Sequence, residues 1–197
     1  MAILTRNFYD RPALAVARAL LGCRLVRHQS GHRLTGLIVE TEAYQGEDDL
    51  GSHASAGKTP RTAVMYGPPG HAYVYFTYGM HWLLNAVTGE DGIPGAVLIR
   101  AIHPVEGQTT MAENRPYNAH KRGWTDGPAK LTQALAVDGA FNKVDLCSEE
   151  KGLWIEPGEP IQDNIVQQTA RVGLNSVPEP WRSIPWRFVV DQAAYDG

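Results

Sequence analysis

Residues 72–87 leave the chain few ways to fold. Ala72-Tyr-Val-Tyr-Phe-Thr77 and His81–Val87 are two runs rich in aromatic and branched residues, with Tyr78-Gly79 between them. That pattern predicts two antiparallel strands joined by a tight turn. A lone strand pair is unstable in water, so other strands or helices must cover its apolar face. The rest of the chain supplies them. Cys23–His28 and Arg33–Tyr44 read as strands around a turn at Ser30-Gly31, and Ala96–Ile102 is apolar except for Arg100. Leu153–Glu156, Ala170–Leu174 and Trp186–Val190 are later strand candidates. A first helix is expected after Asp10 as its cap, with Pro12 in its first turn, Leu14, Ala17 and Leu21 on one face, and Gly22 as its stop. Gly127-Pro128 opens another, with Leu131, Ala134 and Leu135 on one side. Strands in the middle and helices at the flanks imply an α+β fold, a single domain over residues 1–197 around an antiparallel, strongly bent sheet.

Composition narrows the class. The 197 residues are 43% apolar and 20% charged, enough apolar material for one core, and no uninterrupted apolar run approaches membrane-spanning length. Arg6, Asp10 and Arg11 break up the N-terminus where a secretion signal would be apolar, and two cysteines, Cys23 and Cys147, make no disulfide framework. A cytoplasmic protein is expected. The net charge is −3, yet residues 1–35 hold six arginines against Asp10 alone, and residues 50–89 contain no carboxylate. A polyanion needs only a basic face, so an acidic total does not exclude nucleic acid. A chance lull in acids explains the same pattern nearly as well.

The chemistry-bearing residues cluster. Period-two alternation places Glu40, Glu42 and Tyr44 on one face of their strand and Val39, Thr41 and Ala43 on the other. Two carboxylates inside an apolar strand need water or partners, and an ionised one can act as a general base. A solvated sheet face is the plain alternative. The strand leads into Gln45–Gly70, which contains His53 and is too long for a simple connection. Tyr73 and Tyr75 share a face of the next strand, suited to stacking on a planar group, although aromatic residues also favour strands for packing alone. Tyr78 at a hairpin apex should protrude, where burial cannot repay its apolar area. Asn85 and Arg100 interrupt apolar strands and fit either structural pairing or a pocket. Glu40, Glu42, Asp48, Asp49 and His53 lie close in sequence without metal-ligand spacing, and neither a nucleophilic cysteine nor a phosphate-cradling glycine loop is evident.

The runs Val39-Glu-Thr-Glu-Ala-Tyr44, His53 through Lys58-Thr-Pro-Arg61, and Gly67-Pro-Pro-Gly-His-Ala-Tyr-Val-Tyr-Phe-Thr-Tyr-Gly-Met80 resemble the 3-methyladenine (alkyladenine) DNA glycosylase family. Leu98-Ile-Arg-Ala101, Gly127-Pro-Ala-Lys-Leu131 and Ala170-Arg-Val-Gly173 agree in the same order, so the similarity runs from about Phe8 to Val190. The resemblance implies a single α+β domain, a curved antiparallel β-sheet flanked by helices with a protruding β-hairpin. It also implies a monofunctional enzyme that flips alkylated or deaminated purines out of duplex DNA and leaves an abasic site. Glu42 would be the general base on water and Arg100 the basic residue near the abasic sugar and its phosphate. Tyr44, His53 and Tyr75 would hold the extruded base, Asn85 would exclude guanine, and Tyr78 would fill the gap in the duplex. Lys58, Arg61 and Lys130 would touch the DNA backbone. Positively charged methylated purines should gain from the electron-rich faces of Tyr44 and Tyr75. No cofactor, metal, membrane or obligate protein partner is implied, and a monomer suffices. Two rivals are a non-enzymatic binder of damaged DNA and a metal-assisted hydrolase of a small molecule.

Overall fold

The computed structural model describes residues 2–118 and 121–191. Its strands are β1 (Arg24–Gln29), β2 (His32–Gln45), β3 (Ala72–Thr77), β4 (His81–Val87), β5 (Gly95–Glu106), β6 (Leu153–Glu156), β7 (Val166–Thr169) and β8 (Arg187–Val190). Four α-helices accompany them: α1 (Arg6–Tyr9), α2 (Ala13–Leu20), α3 (Gln108–Asn114) and α4 (Pro128–Ala134). All strand pairings are antiparallel, in the order β3-β4-β5-β2-β1-β6, with β8 joining β2 and β7. This is the α+β fold with a curled antiparallel sheet that the strand pattern implies.

The 14-residue β2 organises the sheet. One edge pairs with β5 along nearly its full length. The other edge is divided: residues 32–37 pair with β1, and Glu40–Glu42 pair with β8. Register shifts around Glu40 mark a bulge, which bends the strand where the two edges part. Period two then sorts the side chains. Val39, Thr41 and Ala43 are buried toward α2, where the Thr41 hydroxyl donates to the Ala17 carbonyl at 2.9 Å. Glu40, Glu42 and Tyr44 take the opposite face.

Three local expectations are corrected. The N-cap of α2 is Pro12 with no side-chain cap, and the Ala13 amide donates instead to Gln45 Oε1 at 2.8 Å. Asp10 is left at the end of α1. The buried stripe of α2 is Ala13, Val16, Ala17 and Leu20, because Leu14 lies at its partly exposed margin. Residues 170–174 are not a strand: the ladder is Val166–Thr169, and a turn follows. Gly22 does end the helical segment, with φ +81 and its amide bonded to Ile38.

The β3–β4 turn holds three residues, Tyr78-Gly79-Met80. Tyr78 has φ +52, unusual for a bulky side chain, and is 85% exposed. The hairpin therefore presents this ring to solvent.

Candidate active site

A cavity of about 310 Å³ opens between the hairpin, the β2–β5 face, the 51–53 turn and the 172–174 turn. Tyr44, His53, Tyr75, Asn85, Arg100 and Tyr78 all line it, although they come from five separate stretches of sequence. Tyr73, paired with Tyr75 by alternation but given no role by the family resemblance, lines it too. The period-two signal was sufficient to include it.

Three rings form one wall. His53 meets Tyr75 edge-on at 4.6 Å between centroids, and Tyr73 lies 5.2 Å from Tyr75. The Tyr73 hydroxyl is 2.9 Å from His53 Nδ1, while Arg61 Nη2 approaches Nε2 at 3.4 Å. A guanidinium only donates, so Nε2 accepts and the neutral ring carries its proton on Nδ1, toward Tyr73. Burial first, and the Arg61 charge second, lower the His53 pKa to about 4. The imidazole is accordingly uncharged at neutral pH.

That shift has a stability consequence. Relative to an ordinary histidine near 6.5, the folded state binds fewer protons between pH ~6.5 and ~4 than the unfolded state. Stability from this group is thus complete above the unfolded pKa and is lost as pH falls toward 4. Urea unfolding of wild type and His53→Gln across this range should show a gap that closes with acidification. A constant gap would contradict the assignment.

Glu42 is fully buried and is not itself on the cavity lining. Its donors are on it. Oε2 accepts from the Tyr44 hydroxyl at 2.7 Å and Arg100 Nη1 at 3.3 Å, and Oε1 accepts from the Val172 amide at 2.7 Å. Burial, then the Glu42 charge, hold the Tyr44 hydroxyl well above the ordinary phenol range, so it remains a donor. Arg100 also donates to Glu40 Oε1 at 2.7 Å, and Arg187 shares that oxygen at 2.6 Å. Burial opposes the Arg100 charge, but Glu42 and then Glu40 outweigh it and raise its pKa.

Asn85 is 3% exposed, and its Nδ2 donates to the Tyr73 carbonyl at 3.0 Å, which fixes the amide against the cavity. The three backbone candidates stay outside the lining. Lys58 lies over the Tyr66 ring at 5.5 Å, Arg61 over Tyr75 at 5.0 Å, and Lys130 is bonded to Gly123 and paired with Asp126.

Sequence reasoning also missed a buried ion pair behind the site. Both nitrogens of the Arg171 fork reach Asp49, at 2.5 and 2.7 Å, and both side chains have zero exposure. Arg171 further donates to the carbonyls of Ala43 and Trp181 and lies 4.7 Å from the Tyr44 ring centroid. It anchors the turn whose next residue, Val172, holds Glu42. Glu40, Glu42 and Asp49 are therefore occupied by arginines, and among the described residues no three His, Cys, Asp or Glu side chains converge as a metal site.

Residues 7–194 match the sequence model of the methylpurine-DNA glycosylase family. The chain belongs to that family. Similar proteins agree: one from Carboxydothermus hydrogenoformans, carrying the name "Putative 3-methyladenine DNA glycosylase", is 48% identical over 98% of this chain and 97% of its own. Relatives of the same name from Methanocella arvoryzae and Myxococcus xanthus are 46% and 45% identical, each over 95% of this chain and over 92% and 89% of their own lengths. Family membership makes this a DNA glycosylase, a hydrolase of N-glycosidic bonds that takes DNA as substrate, and sets aside the non-enzymatic binder. Among the described residues no helix is long and apolar enough to cross a membrane.

Proposed function

We propose that this glycosylase rotates an alkylated or deaminated purine out of duplex DNA into the ring-lined cavity, where Glu42 activates the attacking water. The observation that carries the reading is the placement of Glu42: each of its three donors stands on the cavity wall. A carboxylate offers about four acceptor positions, and the three donors leave one on Oε1 beside the exposed Val172. The Glu42 side chain has no exposure in the DNA-free protein, so the attacking water reaches Oε1 only in the DNA-bound state, where it donates one proton to Glu42 and directs its oxygen at the sugar C1′. The C1′–N bond breaks and the base takes the bonding electrons. A base that leaves as an anion, such as hypoxanthine, then takes the proton, whereas a cationic methylated purine leaves neutral and the proton passes from Glu42 to solvent. Positive charge developing on the sugar is stabilised by the same carboxylate. Arg100, held from behind by Glu40, faces the sugar and its phosphate. Asn85, with its amide fixed by Tyr73, excludes guanine. Among the described residues no lysine lines the cavity, which supports an abasic product without strand cleavage. One copy of the chain carries the whole site, in keeping with a monomer.

Extrusion is close to balanced. Unstacking costs a few kcal/mol, and aromatic stacking returns ~1–3 kcal/mol per base. Tyr78, already 85% exposed in the DNA-free protein, loses little on moving into the gap. Tyr78→Ala should therefore reduce the flipped population by roughly tenfold, read from a fluorescent base analogue at the lesion. An unchanged signal would remove Tyr78 from this role. Lys58 and Lys130 supply backbone contacts whose loss should flatten the salt dependence of binding.

The decisive experiment is a panel of duplexes, each with one defined lesion, incubated with excess protein and chelator. The expected result is release of hypoxanthine or a methylated purine as free base, leaving an abasic site. Release only on adding a divalent metal, or borohydride trapping of a covalent adduct, overturns the mechanism.

A further inference from the structure

A methylated purine with a positive charge and a neutral deaminated purine have nearly the same shape. A pocket distinguishes them mainly by the electrostatics of its rings. Free tyrosine faces favour the cation, because the π-face is its negative pole. Here both candidate stacking rings already carry a cation of the protein itself. The Arg171 guanidinium lies 4.7 Å from the Tyr44 centroid, and the Arg61 guanidinium lies 5.0 Å from that of Tyr75. Each draws π density toward itself and repels a second positive charge nearby.

The two arginines differ in compensation. Arg171 is paired with Asp49, as Arg100 is with Glu40 and Glu42. Arg61 is exposed and makes no ion pair among the described residues, and its neighbour His53 is neutral. Beside the cavity wall, Arg61 is a cation with no counter-ion among the described residues.

We infer that Arg61, acting through the Tyr75 ring, is a specificity-determining residue that biases the site toward neutral damaged purines over cationic ones. It runs opposite to the expectation that the tyrosine faces reward positive charge, and the test below decides between the two. It rests on the proposed function and names the substrate class that function favours. Removing the exposed Arg61 charge leaves the wall geometry to Tyr73, His53 and Tyr75, which pack on one another.

The test compares single-turnover release of 3-methyladenine, a cation in DNA without guanine's exocyclic amine, with release of neutral hypoxanthine from otherwise identical duplexes. The ratio within one enzyme cancels any change in backbone affinity. Arg61→Gln should raise the cation-to-neutral rate ratio roughly three- to tenfold, and Arg61→Lys, which keeps the charge, should hold it near wild type. A ratio unmoved by Arg61→Gln, with both rates falling together and a shallower salt dependence, would make Arg61 a backbone contact and overturn the inference. Release of neither base by wild type would instead overturn the proposed function beneath it.

Discussion

Glu42→Gln is expected to bind lesion-containing duplex and fail to release the base, with the single-turnover rate falling at least ~10²–10⁴-fold. The substitution is nearly isosteric, but the site is built for an anion. Tyr44 Oη, Arg100 Nη1 and the Val172 amide all donate to this side chain. A carboxamide has one accepting oxygen and an NH2 that only donates. At least one of the three donors must then face another donor, and no carboxylate remains to take a proton from water. The damage should stay local, because Arg100 retains Glu40 and the core face of β2 is untouched. Folding loss of about 1–3 kcal/mol is expected for the mispaired donors. The measurement is base release under enzyme excess, paired with binding to the same duplex by a fluorescence assay. Excision within a few-fold of wild type would show that the buried position of Glu42 is structural and that another group activates water.

The residues of this site were unequally legible in the sequence. Glu42, Tyr44, Tyr73 and Tyr75 lie on strands, where alternation alone fixes which side chains share a face. The hairpin tip was legible because Tyr beside Gly in a short turn has no core to enter. Alternation could not tell which face would be enclosed. That depends on the turn at 51–53, whose His53 meets Tyr73 and Tyr75 of β3, and on the turn at 172–174, held by contacts between residues more than 100 positions apart. Arg171 illustrates the loss. In sequence it is one arginine in an apolar run that resembles a strand. Its partner Asp49, 122 positions away, appeared only as a loose candidate for metal binding. The bulge at Glu40 was equally hidden: its cause is the division of one edge of β2 between β1 and β8, a fact of pairing rather than of local pattern.

The second large effect falls on this hidden pair. Arg171→Met should destabilise the protein by about 3–5 kcal/mol, because Asp49 would remain buried without its cation. For a chain of this length the thermal midpoint should drop on the order of 10 °C. Arg171→Lys should recover little of it. The guanidinium satisfies two Asp49 oxygens and the Ala43 and Trp181 carbonyls in one plane while lying against Tyr44 and Trp186. A lysine ammonium has three donors, no plane to stack and a shorter span. Replacing both partners with apolar residues of similar volume, Asp49→Leu with Arg171→Met, separates stability from positioning, since the pair's own net contribution is small once neither charge is left alone. The double variant should regain part of the midpoint, the remainder being lost with the backbone groups the pair had satisfied, the Ala43 and Trp181 carbonyls and the Gly51 amide. Its excision rate should stay well below wild type, because the Val172 amide loses the anchor that holds it against Glu42 Oε1 and the Tyr44 ring loses its backing. Calorimetry and single-turnover release on the same preparations test the two halves separately. Full recovery of both in the double variant would make the ion pair a packing element with no part in placing the carboxylate.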